Sequence, residues 1–185
     1  MQLDPQTFLD MAEATSKIAC VDIEATGLKG DYNSIMVISV KPFNKKPVSF
    51  HVAKPGNDEK LVYEAGEYIE SFTAWVTYYG KGFDIPMINT RRLRWGLPPL
   101  VKRHHIDMYY SLKSNILTAR RSQAHLLEWL DTPEKKMTVG AEEWNKVLAD
   151  PDAHMGTMVK RCESDTKGLE GLYTATRHLI REIKL

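Results

Sequence analysis

Four carboxylates stand where an apolar pattern or a turn would otherwise continue: Asp22 and Glu24 in "KIACVDIEA", Asp84 in "GKGFDIP", and Asp165 in "RCESD". Asp22 and Glu24 are two residues apart, so in a strand both side chains project from one face, roughly 6–7 Å apart. Two acids on an otherwise apolar strand face repel and resist burial, and a cation resolves the conflict. In the closing segment Met158, Cys162, Leu169, Leu172, Tyr173, Thr176, Leu179, Ile180 and Ile183 recur at helical spacing, and Asp165 lies within that stripe. A carboxylate pointing inward there must be neutralised, paired with Arg or Lys, or bound to a metal. Each acid alone has a plainer reading: a structural ion pair for Asp165, an N-cap before Pro86 for Asp84, a solvent-facing strand for the pair. Together they supply the hard oxygen ligands that Mg2+ or Mn2+ prefers, and four negative charges suit two such ions. Two divalent ions about 3.5–4 Å apart clamp a phosphodiester, so phosphodiester hydrolysis is the chemistry this set would perform.

The elements that must position these acids follow from pattern. Residues 17–25, 33–41 and 46–53 are short β-branched-rich runs joined by turn-like links, which predicts an antiparallel meander. Residues 58–72 carry Leu61, Val62, Ala65, Tyr68, Ile69 and Phe72 at helical spacing, so the next strand, 73–79, is reached by a right-handed crossover and runs parallel to the first. Residues 84–95 predict a helix with Pro86 in its first turn, and 104–108 a short fifth strand. Helical patterns follow at 122–130, 141–149 and from about His154 to the end. The sheet is thus expected to be mixed, with its first strand central.

At 185 residues and 43% hydrophobic composition the chain makes one domain, taken as 1–185. A net charge of +1 provides no global basic field for nucleic acid, so any such contact must come from local clusters. Cys20 and Cys162 have neither disulfide-framework nor zinc-ligand spacing and read as buried free thiols, sharing faces with Asp22 and Asp165. There is no signal-peptide pattern and no apolar run approaching the ~20 residues of a membrane span, so the expectation is a soluble, intracellular, cytoplasmic protein with no membrane partner.

Three blocks carry a family likeness. "VDIEATGL" (21–28), "TYYGKGFDIPMINTRRLRWGLPP" (77–99) and "VKRCESDTKGLEGLY" (159–173) resemble, in order, the three motifs of the ribonuclease H-like 3′–5′ exonuclease superfamily (DnaQ-like, DEDD). The likeness is greatest to stand-alone relatives of family B DNA polymerase proofreading domains. "HHIDMYY" (104–110) resembles the strand and helix start between the second and third motifs. The resemblance implies an α/β, three-layer ribonuclease H-like fold: a mixed five-stranded sheet with helices on both faces. It implies Asp22, Glu24, Asp84 and Asp165 as catalytic ligands of two Mg2+ or Mn2+ ions. It also implies that Thr26, Gly27 and Leu28 contact the 3′-terminal nucleotide, with Phe83 beside the second-motif acid. The activity so implied is hydrolysis from the 3′ end of single-stranded DNA, with an exoribonuclease or a degenerate binding protein as alternatives and a replication or repair protein as partner.

Two positions depart from the family pattern. Where relatives carry Tyr four residues, or His five residues, before the last aspartate, this chain has Arg161 and Lys160; where they often carry Asn, it has Tyr79. Arginine keeps its proton, so Arg161 can hold a phosphate or carboxylate but cannot take a proton from water. His154, Tyr79, His104 and His105 are the side chains that could substitute, each with a structural role as the plainer alternative. Lys81, three residues from Asp84, is the candidate phosphate contact, while Arg91, Arg92, Arg94, Lys102 and Arg103 either track a backbone or form a solvated face. Asp107 is expected to cap the helix after it, and Trp75, Trp95, Trp129 and Trp144 to pack in the core.

Overall fold

The computed structural model describes residues 4–181 and 183; residues 1–3, 182, 184 and 185, which the expected 1–185 domain and its final helix include, lie outside the described residues. The chain opens with α1 (Pro5–Ala14), where Asp4 caps the amides of Gln6 and Thr7 and Pro5 fills the first turn. β1 (Ile18–Ala25), β2 (Ile35–Pro42) and β3 (Val48–His51) form the expected antiparallel meander. α2 (Glu59–Glu70) crosses over to β4 (Ala74–Thr77), which pairs parallel with β1. α3 (Asp84–Arg94) leads to β5 (His104–Asp107), parallel to β4. α4 (Met108–Lys113), α5 (Gln123–Trp129), α6 (Ala141–Ala149) and the long α7 (Pro151–Thr176) complete the helices.

Strand order is β3-β2-β1-β4-β5, which makes β1 central and the sheet mixed. Alternation along β1 assigns the two layers. Ala19, Val21 and Ile23 join the core built with Leu61, Val62 and Ile69 of α2 and Met87 and Ile88 of α3. Ile18 and Cys20 face the other way, among Leu169, Leu172 and Tyr173 of α7. Asp22 and Glu24 continue this second face, so one side of a single strand passes from apolar to acidic towards its C-terminal end.

Several expectations are corrected. The apolar stripe predicts helix through Ile183, but the α-helix ends at Thr176 and a 3-10 turn, Arg177–Leu179, follows. There Arg177 bonds Asp10 and Glu13, and Gln6 bonds the carbonyls of Arg177 and Ile180, so docking against α1 takes over from helix continuation. Trp129 is not core: it is exposed at the last turn of α5, whereas Trp75 is buried and Trp95 and Trp144 are half-buried. Arg91 and Arg92 neither face solvent nor offer a backbone track. Arg92 donates to the carbonyls of Val62 and Pro98, and Arg91 makes a bidentate pair with Asp58, both bonds 2.8 Å. Asp58 is fully buried and also accepts from Trp95 Nε1 and the Ile35 amide, each at 2.8 Å. One carboxylate thereby ties the start of β2, the N-terminus of α2 and the end of α3 together. Arg103 is likewise spent on the carbonyls of Glu70 and Phe72.

Removing Asp58 would strand a buried guanidinium. Asp58→Ala is expected to cost about 3–5 kcal/mol, read from urea unfolding. A loss under about 1 kcal/mol would show that Arg91 reaches water when its partner is gone.

Candidate active site

Three acids meet at the end of β1 and the middle of α7. Carboxylate oxygens of Asp22, Glu24 and Asp165 all lie within 4.8 Å of one another. Glu24 and Asp165 are buried and Asp22 is partly exposed on a cleft of about 540 Å³. Asp84 is buried and lines the same cleft but stands outside the tight trio. It is the first residue of α3 rather than its N-cap, a position held by Phe83 without a side-chain bond. The plainer N-cap reading of Asp84 therefore does not hold.

A second acid, Asp107, orders the loop that carries Asp84. Its carboxylate caps α4 through the Tyr109 amide, as expected, and also accepts the amides of Tyr79 and Lys81 at 3.0 and 2.9 Å. Tyr79 sits at φ 63°, left-handed backbone that a bulky side chain rarely adopts and that asparagine tolerates better. The Asp107 bonds hold it there.

The remaining expected contacts divide. Gly27, Leu28 and Phe83 line the cleft, Leu28 as a 78% exposed side chain and Phe83 with part of its ring in the core. A Cβ at Gly27 would come within 2.5 Å of Asn33 Oδ1, so glycine here lets the Asn33 side chain pack across the 26–34 turn, and a larger residue would push that side chain aside. Thr26 is not brought into the cleft: its hydroxyl exchanges bonds with Ser34 and braces that turn. Lys81 is exposed but lines a neighbouring cavity. Arg161 is in the cleft, with Nη1 2.5 Å from Glu24 Oε2 and its guanidinium 5.7 Å from the Trp144 ring centroid. Of the side chains that could substitute at the water-positioning place, Tyr79 lines the cleft, His105 lines the neighbouring cavity, and His104 packs on Phe8.

The residue that pattern reading missed is Lys136. It reaches in from the segment between α5 and α6 and places Nζ 2.8 Å from Asp165 Oδ2. No local signal marks it, because "PEKKMTVG" is polar and irregular and its contact is 29 residues away in sequence. Cys162 also faces the acids, its Sγ 3.3 Å from the Asp22 carbonyl and 3.4 Å from Oδ2. Burial, then the neighbouring acids, push this thiol well up, so it remains protonated as a donor.

Crowding shows in the acidities. Burial, then the charge of Asp165, raises Asp22 to about 7, against the opposing pull of Lys136, Cys162 and Arg161. Burial and Asp22 raise Glu24 to about 8 despite Arg161. Asp84 is held well above the carboxylate range by burial and Asp22, and Asp165 is raised by burial against Lys136 and Arg161. Asp165 Oδ1 is buried without a partner. Hard oxygen donors that resist ionisation, one of them unsatisfied, fit a divalent cation.

The sequence model of the RNase H superfamily matches residues 19–145. The chain belongs to that superfamily. Among solved structures it is similar to a family B DNA polymerase from the hyperthermophilic archaeon Pyrobaculum calidifontis, at 16% identity and a TM-score of 0.72. That match covers 86% of this chain and 24% of the polymerase, so the domain corresponds to under a third of that protein's length. No curated protein is detectably similar in sequence. Fold and family thus agree on a nuclease-type α/β architecture, and in this chain an acidic cluster stands at the end of the central strand. Among the described residues, no helix is long and apolar enough to cross a membrane.

All four acids of this RNase H-type domain have folded-state acidities weaker than their unfolded ones, so folding takes up protons. Their stability penalty therefore grows as pH rises from about 4 to about 8. Asp22→Asn removes one such group. In EDTA the variant is expected to be more stable than wild type at about pH 8.5, with the advantage shrinking towards about pH 4, by urea unfolding. A pH-independent difference would contradict the burial argument.

Proposed function

We propose that this RNase H-superfamily domain is a metal-dependent 3′–5′ exonuclease acting on single-stranded DNA ends. The observation that carries the reading is the meeting of Asp22, Glu24 and Asp165 within 4.8 Å, with Asp84 lining the same open cleft. These four residues would hold two Mg2+ or Mn2+ ions. Divalent ions held by such a set activate water and offset charge on the leaving oxygen of a phosphodiester.

The chain's own side chains have the remaining tasks. Leu28, exposed at the rim, offers an apolar edge to the terminal base, and Gly27 lets the backbone approach it. Phe83 forms part of the cleft wall. Lys136 and Arg161, which pair with Asp165 and Glu24, put two fixed positive charges where a scissile phosphate would lie. Neither serves as the base: a guanidinium has no free lone pair to take a proton, and Lys136 acts through its charge beside Asp165. Likeness of fold to a family B DNA polymerase favours a replication or repair setting for the partner.

Time courses on 5′-labelled single-stranded DNA are expected to show stepwise 3′ shortening that requires Mg2+ or Mn2+, with matched RNA run alongside to establish sugar preference. Asp22→Ala and Asp84→Asn should fall to background, and Lys136→Ala should lose about 10²–10³-fold in kcat, the usual cost of one electrostatic donor. Wild-type rates in either acid variant would dismantle the ligand assignment.

A further inference from the structure

Beside the acidic cleft, across the loop 78–84, lies a second cavity of about 680 Å³. Tyr79 lines the cleft and Tyr110 lines the cavity. Their rings lie 5.9 Å apart at an interplanar angle of 29°, and Tyr109 stands edge-on to both at 5.2 Å. Tyr79 is 46% and Tyr110 43% exposed. Two aromatic rings, buttressed by a third, therefore bridge two hollows instead of closing into the core, as a stacking platform for bases would.

The cavity is also electrostatically matched to phosphate. Lys81 and Arg181 are exposed in its lining, and neither makes an ion pair among the described residues. The acid in the lining, Asp107, is buried and committed to the amides of Tyr79, Lys81 and Tyr109. His105 bonds Thr77 Oγ1 at 2.8 Å and is kept neutral, its acidity moved to about 4 by burial and by the Lys81 charge. Two cations thus face one carboxylate whose oxygens already accept backbone amides.

We propose that this cavity is a second nucleotide subsite, taking an internal nucleotide of the strand whose 3′ end lies at the acids. The base stacks on Tyr110 and a phosphate faces Lys81 and Arg181. The inference rests on the exonuclease reading for the strand's direction, but its test requires no turnover. Anisotropy of a labelled single-stranded DNA octamer in EDTA is expected to show about tenfold weaker binding for Tyr110→Ala. Tyr110→Phe keeps the ring and should bind as wild type. Lys81→Ala should weaken binding and lower the salt slope by about the share of one phosphate.

Wild-type affinity and salt slope in both alanine variants would overturn the subsite, and wild-type 3′ shortening in the same preparation would leave the exonuclease reading standing. Loss in Tyr110→Phe equal to that in Tyr110→Ala would also overturn it, since stacking would then not be the contact. Equal weakening of free dAMP would assign the cavity to a mononucleotide and reject the strand. Octamer binding that depends on Tyr110 without 3′ release in either metal would uphold the subsite and reject the exonuclease.

Discussion

Negative charge concentrated in a poorly solvated place is the constraint on which the rest of this structure turns. Asp22 and Glu24 occupy the face of β1 that begins with Ile18 and Cys20, and α7 lays Asp165 across it. Carboxylates this close repel strongly where water cannot screen them, and burial adds to the cost by favouring their neutral forms. The surroundings answer with cations from different elements: Arg161 from α7 itself and Lys136 from the α5–α6 connection. Even so the acidities of the four groups remain raised, so the compensation is incomplete. A domain that keeps such a cluster at the end of its central strand gives up stability there and keeps hard oxygen donors of the kind a divalent cation fits.

The other buried acids show the contrast. Asp58 and Asp107 are as deeply placed, yet each is surrounded by donors: Arg91, Trp95 and the Ile35 amide for the first, three backbone amides for the second. They organise loops. Asp58 ties β2 to both helices of the α2–α3 layer, and Asp107 shapes the turn before Asp84, holding Tyr79 in left-handed backbone. Asp165 instead keeps one buried oxygen without a partner. A buried carboxylate bonded at both oxygens is structural, whereas Asp165, bonded at one, has an oxygen left for a ligand.

Legibility in the sequence follows the range of the interactions. β-branched runs between turn residues and apolar residues at helical spacing disclosed the strands, the crossover helix and the central place of β1, because a strand covered on both faces is apolar almost without a break and a helix covered on one face repeats every 3.6 residues. The same logic exposed Asp165 as an acid inside an apolar stripe. It failed where one position can serve two purposes. Arg91 and Arg92 look like a basic surface, but the fold brings Asp58 and the Gly30 carbonyl to the first and the Val62 and Pro98 carbonyls to the second. Trp129 looks like core and lies on the exposed side of a short helix. The helical stripe of α7 runs on past Thr176, but contacts with α1 end the helix.

What the sequence by itself determined is the inventory and the order: four acids out of pattern, three motif blocks in sequence, and strands and helices enough for a mixed sheet covered on both faces. Residue type and local period carry that information, since each is read within a turn or two of the chain. Only the tertiary structure decided which charges meet. It brought Lys136 to Asp165 and Arg161 to Glu24, turned Thr26 away into its own turn, and moved Lys81 into a separate cavity beside a tyrosine platform. Those outcomes depend on contacts between elements far apart in sequence, where the cost of an unpaired charge is settled by whichever partner the fold delivers.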